Sequence, residues 1–110
     1  MEVEINPEAT PPKKPDFYIN GASLKGELLE IFISYTGGCE QHSFVLSSTG
    51  EIQKSLPPKT PLYLRNTGPP DACREFISDT LYFNMKKVLL KNPKGITFVL
   101  NSETLIPTTP

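Results

Sequence analysis

Apolar and polar residues alternate with a period of two through the middle of this chain. Leu29, Ile31, Ile33 and Tyr35 share one parity, and Glu30, Phe32 and Ser34 share the other. Successive side chains of an extended strand point to opposite faces, so this run predicts a strand with one strongly apolar face and one mixed face. Gly37-Gly38 ends it in a turn. His42, Phe44 and Leu46 then share a parity, with Ser43, Val45 and Ser47 between them. Residues 27–36 and 41–48 therefore read as a hairpin whose loop carries Cys39.

The same pattern places further strands on either side. Phe17-Tyr18-Ile19 predicts a short strand that stops at the turn dipeptide Asn20-Gly21. Leu56-Pro57-Pro58-Lys59-Thr60-Pro61 reads as lying outside any sheet, because its prolines lack backbone donors. Leu62-Tyr63-Leu64-Arg65 predicts a strand and residues 66–71 a loop. Ile77, Asp79, Leu81 and Phe83 resume the alternation, with Asp71 placed to cap a helical turn just before them. Residues 85–90 predict a short helix or irregular crossing. Asn92-Pro93-Lys94-Gly95 is a turn, and residues 96–100 form a last apolar strand. Six or seven short strands separated by turn signals predict a mainly β fold. Its form is an antiparallel β-sandwich of immunoglobulin-like type, or an open barrel.

Composition trims this to one domain of 110 residues. Residues 1–15 hold four of the twelve prolines (Pro7, Pro11, Pro12, Pro15) and little that is apolar, and they read as a flexible acidic tail or linker. Residues 106–110 read as a C-terminal tail, leaving 16–105 as the β domain. Net charge is −1 and evenly spread. The one basic cluster, Lys86, Lys87, Lys91 and Lys94, has no interleaved aromatic residues, which argues against a nucleic-acid surface. No run approaches the roughly 20 apolar residues that span a bilayer as a helix. Met1 opens onto Glu-Val-Glu-Ile-Asn-Pro, which is not a leader sequence. The acidic, proline-rich lead-in suits a tether that follows a removed signal or lipid anchor, and the alternative is a cytoplasmic chain.

Candidate chemistry is concentrated in few residues. The chain has two cysteines and one histidine, in Gly37-Gly38-Cys39-Glu40-Gln41-His42 and Asp71-Ala72-Cys73. One reading is a Cys39–Cys73 disulfide. Closing a loop of that length stabilises a domain by roughly 4 kcal/mol in the chain-entropy model. A second reading leaves both thiols unpaired and structural. A third uses Cys39, His42, Asp71 and Cys73 as a tetrahedral zinc set, Cys39-x-x-His42 having ligand spacing. Zinc sites more often show two close Cys or His pairs, and here the second pair contains an aspartate. A thiol nucleophile with His42 as base and Asp71 as orienter lacks an accompanying oxyanion-hole motif. His42 also has an ordinary reading, as a core residue bonded to backbone, Asp71 or Glu40. No nucleotide-binding glycine motif is present.

The surface offers other candidates. Pro57-Pro58-Lys59-Thr60-Pro61 resembles a rigid segment that an aromatic groove recognises, or else an edge guard. A loop at residues 66–71 has the character of an inhibitor's insertion loop. Tyr18, Tyr63 and Tyr82 are candidate contact anchors on outer sheet faces.

Tyr35-x-Gly37-Gly38-Cys39-x-x-His42-x-Phe44-x-Leu46, followed by Asp71-x-Cys73 and Leu81-x-Phe83, resembles a pattern in small bacterial secreted or lipoprotein-type β domains. No activity attaches to that group. The resemblance covers about residues 16–100 and implies β architecture and an extracytoplasmic compartment. Arg65 stands where the pattern has a polar ligand-type residue such as histidine, a departure that weighs against a metal role. The expectation is thus a non-enzymatic cell-envelope or secreted domain stapled by Cys39–Cys73, without cofactor, binding a protein or glycan. Its alternative is a metal-binding or thiol-dependent protein using Cys39, His42, Asp71 and Cys73.

Overall fold

The computed structural model describes residues 3–11, 17–40, 42–50, 52, 58–69, 72–91 and 96–107. The alternation around Ile31 and Ile33 becomes β3 (Leu28–Gly37), flanked by β2 (Phe17–Lys25) and β6 (Glu75–Asn84) in an antiparallel sheet of order β2-β3-β6. A second sheet contains β1 (Glu4–Ile5), β4 (Phe44–Ser48), β5 (Lys59–Asn66), β7 (Thr97–Leu100) and β8 (Thr104–Pro107), in the order β1-β4-β5-β7-β8. The pairs β1–β4 and β5–β7 are parallel, and β4–β5 and β7–β8 antiparallel. The short helix α1 (Lys86–Lys91) lies between β6 and β7 in the chain. The fold is mainly β, with two open sheets that do not close into a barrel.

Period-two alternation explains why the two sheets face each other. Leu29, Ile31, Ile33, Leu81 and Phe83 of the first sheet join Leu46, Leu62, Leu64, Phe98 and Leu100 of the second in one buried cluster. Met85 and Val88 belong to the same cluster, the latter from α1. Each buried aliphatic or aromatic side chain is worth about 1.5–3 kcal/mol of transfer free energy, so this shared core holds the sandwich together.

Several local expectations are corrected. Strands β3 and β4 do not form a hairpin: β3 pairs with β2 and β6, and β4 with β1 and β5. Both carry strongly apolar faces, and those faces are buried in one core by placing the strands in different sheets. The hairpin is instead β2–β3, closed by Gly26 (φ 61°) and Glu27 between the paired Lys25 and Leu28. Asn20-Gly21 is not a turn but a register shift inside β2, which runs on against the longer template of β3. Pro61 lies within β5. The Pro58 and Leu62 carbonyls accept from Thr97 N (2.9 Å) and Asn101 N (2.9 Å), so the even-numbered residues there face β7. Pro61 therefore points its missing donor to the other side, before the β4 pairing begins at Leu62–Ser48. With Thr60 buried and Lys59–Pro61 paired to β7, that stretch is sheet and not an exposed polyproline ligand. Pro57 and the turn at residues 92–95 lie outside the described residues.

Both terminal segments also reach into the sheet. Val3 is buried, Asn6 N donates to Ser48 O (2.8 Å), and Glu4 meets Ser47 Oγ (3.3 Å) and Arg65 (3.7 Å). At the other end Ile106 is buried in β8. The β7–β8 turn places Asn101 and Ser102 at φ 49° and 63°, a left-handed geometry that asparagine tolerates better than most residues. Asn101 also clamps β5, accepting from Leu64 N (2.8 Å) and donating to Leu64 O (3.1 Å).

Strand β6 is an edge, and on its inward parity Asp79 interrupts the apolar series of Ile77, Leu81 and Phe83. Asp79 remains exposed and accepts from Thr80 N (2.8 Å).

Core burial sets the first expectation. Ile33→Ala removes a fully buried side chain and should cost about 2–5 kcal/mol, whereas Thr36→Ala on the exposed face should stay within about 0.5 kcal/mol. Urea unfolding followed by far-UV circular dichroism separates the two, and similar midpoints would contradict the assigned faces.

Candidate functional site

The β3–β6 ladder ends at the pair Gly37–Glu75. Cys39 and Cys73 lie two residues beyond that pair on their respective strands, so each continues the ladder's register opposite the other. They form a disulfide with Cα atoms 5.8 Å apart. Gly38 makes the approach possible. Its φ is 114°, and a Cβ there would stand 2.6 Å from Glu75 Oε2 and 3.2 Å from Glu75 Cβ. Cys39 is exposed and Cys73 half-buried.

His42 closes the same end of the sandwich from the second sheet. Its ring lies on Tyr35 at 4.6 Å between centroids, tilted by 50°. Tyr35 in turn meets Phe44 (5.9 Å), which meets Phe17 edge-on (5.4 Å, 88°). Asn66 Nδ2 donates to His42 Nδ1 at 2.9 Å, while Asn66 Oδ1 accepts from Gly68 N at 2.9 Å. A backbone N–H can only donate, so Gly68 fixes which way the Asn66 amide faces. In the neutral ring, His42 then accepts at Nδ1 and carries its proton on Nε2. Thr67 adds two bonds to Ser43 O, from its backbone N (2.7 Å) and its Oγ1 (3.2 Å). The histidine is thus stacked and oriented as part of the packing.

Of the four residues expected to share chemistry, the structure joins Cys39 to Cys73 and bonds His42 to Asn66. Asp71 and Pro70 lie outside the described residues, as does the proposed cap; residues 72–74 are not helical. Thiolates are what ligate metals and attack electrophiles. Neither bonded sulfur is a thiolate, so the zinc set and the thiol nucleophile belong to a reduced chain. Among the described residues no group of three or more His, Cys, Asp or Glu side chains converges.

A second candidate is the outer face of the β2-β3-β6 sheet. Tyr18 (72% exposed), Phe32 (40%), Phe76 (68%), Tyr82 (48%) and Leu28 (41%) all project from it. Elsewhere among the described residues, the large hydrophobics exposed to a similar degree are Ile52 and Leu105. Tyr18 and Tyr82 therefore stand where outward parity puts them, whereas Tyr63 is half-buried on β5 in the other sheet. Among the aromatic members, Phe32 and Phe76 are those that the chain pattern did not single out. Their signal was present: both occupy the non-core parity of strongly alternating strands. Asn66 was missed as the histidine's partner because nothing local ties it to a residue 24 positions away.

Comparison with protein-family models, with curated proteins and with solved structures finds no match for this chain. No described helix is long and apolar enough to cross a membrane.

Two variants test the disulfide end. Replacing both Cys39 and Cys73 by serine should lower unfolding stability by roughly 4 kcal/mol. The parent's intact mass should rise by two hydrogen atoms on reduction. Gly38→Ala should cost about 1–3 kcal/mol, because alanine meets both the left-handed φ and Glu75. A Gly38→Ala melting curve superimposable on the parent's would refute this reading of the turn.

Proposed function

We propose that this chain is a non-enzymatic binding domain of the cell envelope or the secreted space, and that its contact surface is the outer face of the three-stranded sheet. The observation that carries the proposal is the collection of Tyr18, Phe32, Phe76, Tyr82 and Leu28 on that one face. Single exposed apolar residues are ordinary, but a contiguous group marks an interaction surface. Aromatic residues are favoured there because they bring large contact area at small entropic cost.

The compartment rests on the disulfide, since such bonds persist in oxidising environments and are rare in reducing ones. A binding role without catalysis agrees with an oxidised cysteine pair and with a histidine held by Tyr35 and Asn66. The disulfide and the face are connected. Cys39–Cys73 continues the register of β3 and β6, two of the three strands that display the aromatic residues.

A triple variant, Tyr18→Ser/Phe32→Ser/Tyr82→Ser, tests the face. The positions point away from the core, so the far-UV spectrum should be retained. Retention on immobilised bacterial envelope fractions should fall at least about tenfold relative to the parent. Equal retention of both proteins would sink the assignment of this face.

A further inference from the structure

We infer that the outer face of the three-stranded sheet binds an uncharged polysaccharide, laid across the strands along Tyr18, Phe32 and Tyr82; this rests on the binding role proposed above for that face. The register places these rings in a line. Tyr18 on β2 is opposite Ser34, two residues from Phe32 on β3. Tyr82 on β6 is opposite Glu30, two residues from Phe32 on the other side. Each ring is thus the diagonal neighbour of the next, with about 7–8 Å between positions. Gly21 lies opposite Phe32, and a Cβ there would come within 3.8 Å of Phe32 Cδ2, so the middle ring rests over a position without a side chain.

What lies between the rings selects the partner. Ser23, Thr36, Ser78 and Thr80 share the outward parity and reach solvent among the aromatics, while Ser34 on the same parity is buried. Asn20 sits at the register shift of β2 and accepts from Ser34 Oγ (3.4 Å). Rings and hydroxyls therefore lie side by side, and the line of aromatic residues is bordered by hydrogen-bonding groups along its length. A protein partner favours a continuous apolar centre with a polar rim. A pyranose has the complementary pattern, with an apolar C–H face to lie on a ring and equatorial hydroxyls at its edge to pair with hydroxyl and amide groups. A chain of such units repeats that pattern along a line.

Charge narrows the class further. Among the described positions that the register assigns to this face, the charged side chains are Glu30 and Lys25, which pair at 3.8 Å. A row of stacking rings also suits single-stranded nucleic acid, but such platforms are lined with unpaired Lys and Arg that track the phosphates. This face offers no such cationic excess. Its electrostatic complement is a neutral polymer of rings, not an acidic one.

Affinity electrophoresis of the intact oxidised protein tests this, with gels containing hydroxyethyl-cellulose, β-1,3-glucan, mannan, starch or glycol chitin, and with alginate as the anionic comparison. At least one neutral polymer should retard the parent. Single Tyr18→Ala, Phe32→Ala and Tyr82→Ala changes should each weaken binding by about tenfold. Tyr82→Phe keeps the ring and should retain most of the affinity. Leu105→Ala, an exposed position in the other sheet, should change nothing. Near-UV circular dichroism shows that each variant keeps its fold. Retardation by none of the neutral polymers, or by alginate alone, overturns the polysaccharide assignment. If envelope protein is then bound and lost in the triple serine variant, the face remains the binding surface and only its ligand class was wrong. Polysaccharide binding unchanged in the aromatic variants would overturn both proposals.

Discussion

The register between β3 and β6 is the constraint on which the rest of this molecule depends. Ten consecutive residue pairs run from Leu28–Asn84 to Gly37–Glu75, and the disulfide continues the series beyond its last rung. A slip of one residue would turn every side chain of a strand to the opposite face. Leu81 and Phe83 would leave the core, and Tyr82 would enter it. Hydrophobic burial resists that slip along the ladder, while the covalent bond resists it at one end. Gly38 serves the same end: at its φ of 114° a residue with a Cβ would be strained and would press on Glu75 just before Cys39 meets Cys73.

Much of this was legible in the order of residues. Period-two parity located β3 and much of β6 and sorted their faces, because alternation is a direct imprint of a sheet with one buried side; apolar runs located half of β5 and all of β7. A Cys39–Cys73 bond was one of three readings that the sequence left open, and choosing it required the β3–β6 register that sets the two residues opposite each other. Partner choice was not legible. Gly37-Gly38 looks the same whether the chain doubles back beside β3 or crosses to the other sheet. The difference lies in which distant strands, β6 and β5, compete for the two edges. Likewise Asn20-Gly21 has the local chemistry of a turn, and only the length of β3 opposite it decides for a continuous strand. Val3 and Ile106 were hidden for a related reason. Val3 and Ile5 alternate with Glu2 and Glu4 too briefly to outweigh the prolines that follow, and Leu105-Ile106 stands between threonines and prolines, yet one well-placed side chain is enough to dock a short edge strand.

The same separation explains why the site was only half visible. His42 lies on an apolar parity, which foretold its partial burial. Its orientation comes from Asn66, and that amide is in turn fixed by Gly68. The outer face poses the converse case. Aromatic residues on the polar parity are individually unremarkable, and their grouping exists only once three strands are aligned side by side.

An exposed aromatic sheet carries a hazard that Asp79 answers. A ten-residue edge strand with apolar residues on both faces is a template onto which a second chain can add, and repeated addition leads to fibrils. Asp79 sits midway along β6 on the core-facing parity. An incoming strand that extended the sandwich would draw this carboxylate towards the interior and deprive it of water. A sheet that displays its rings openly is therefore guarded against sideways growth along its β6 edge.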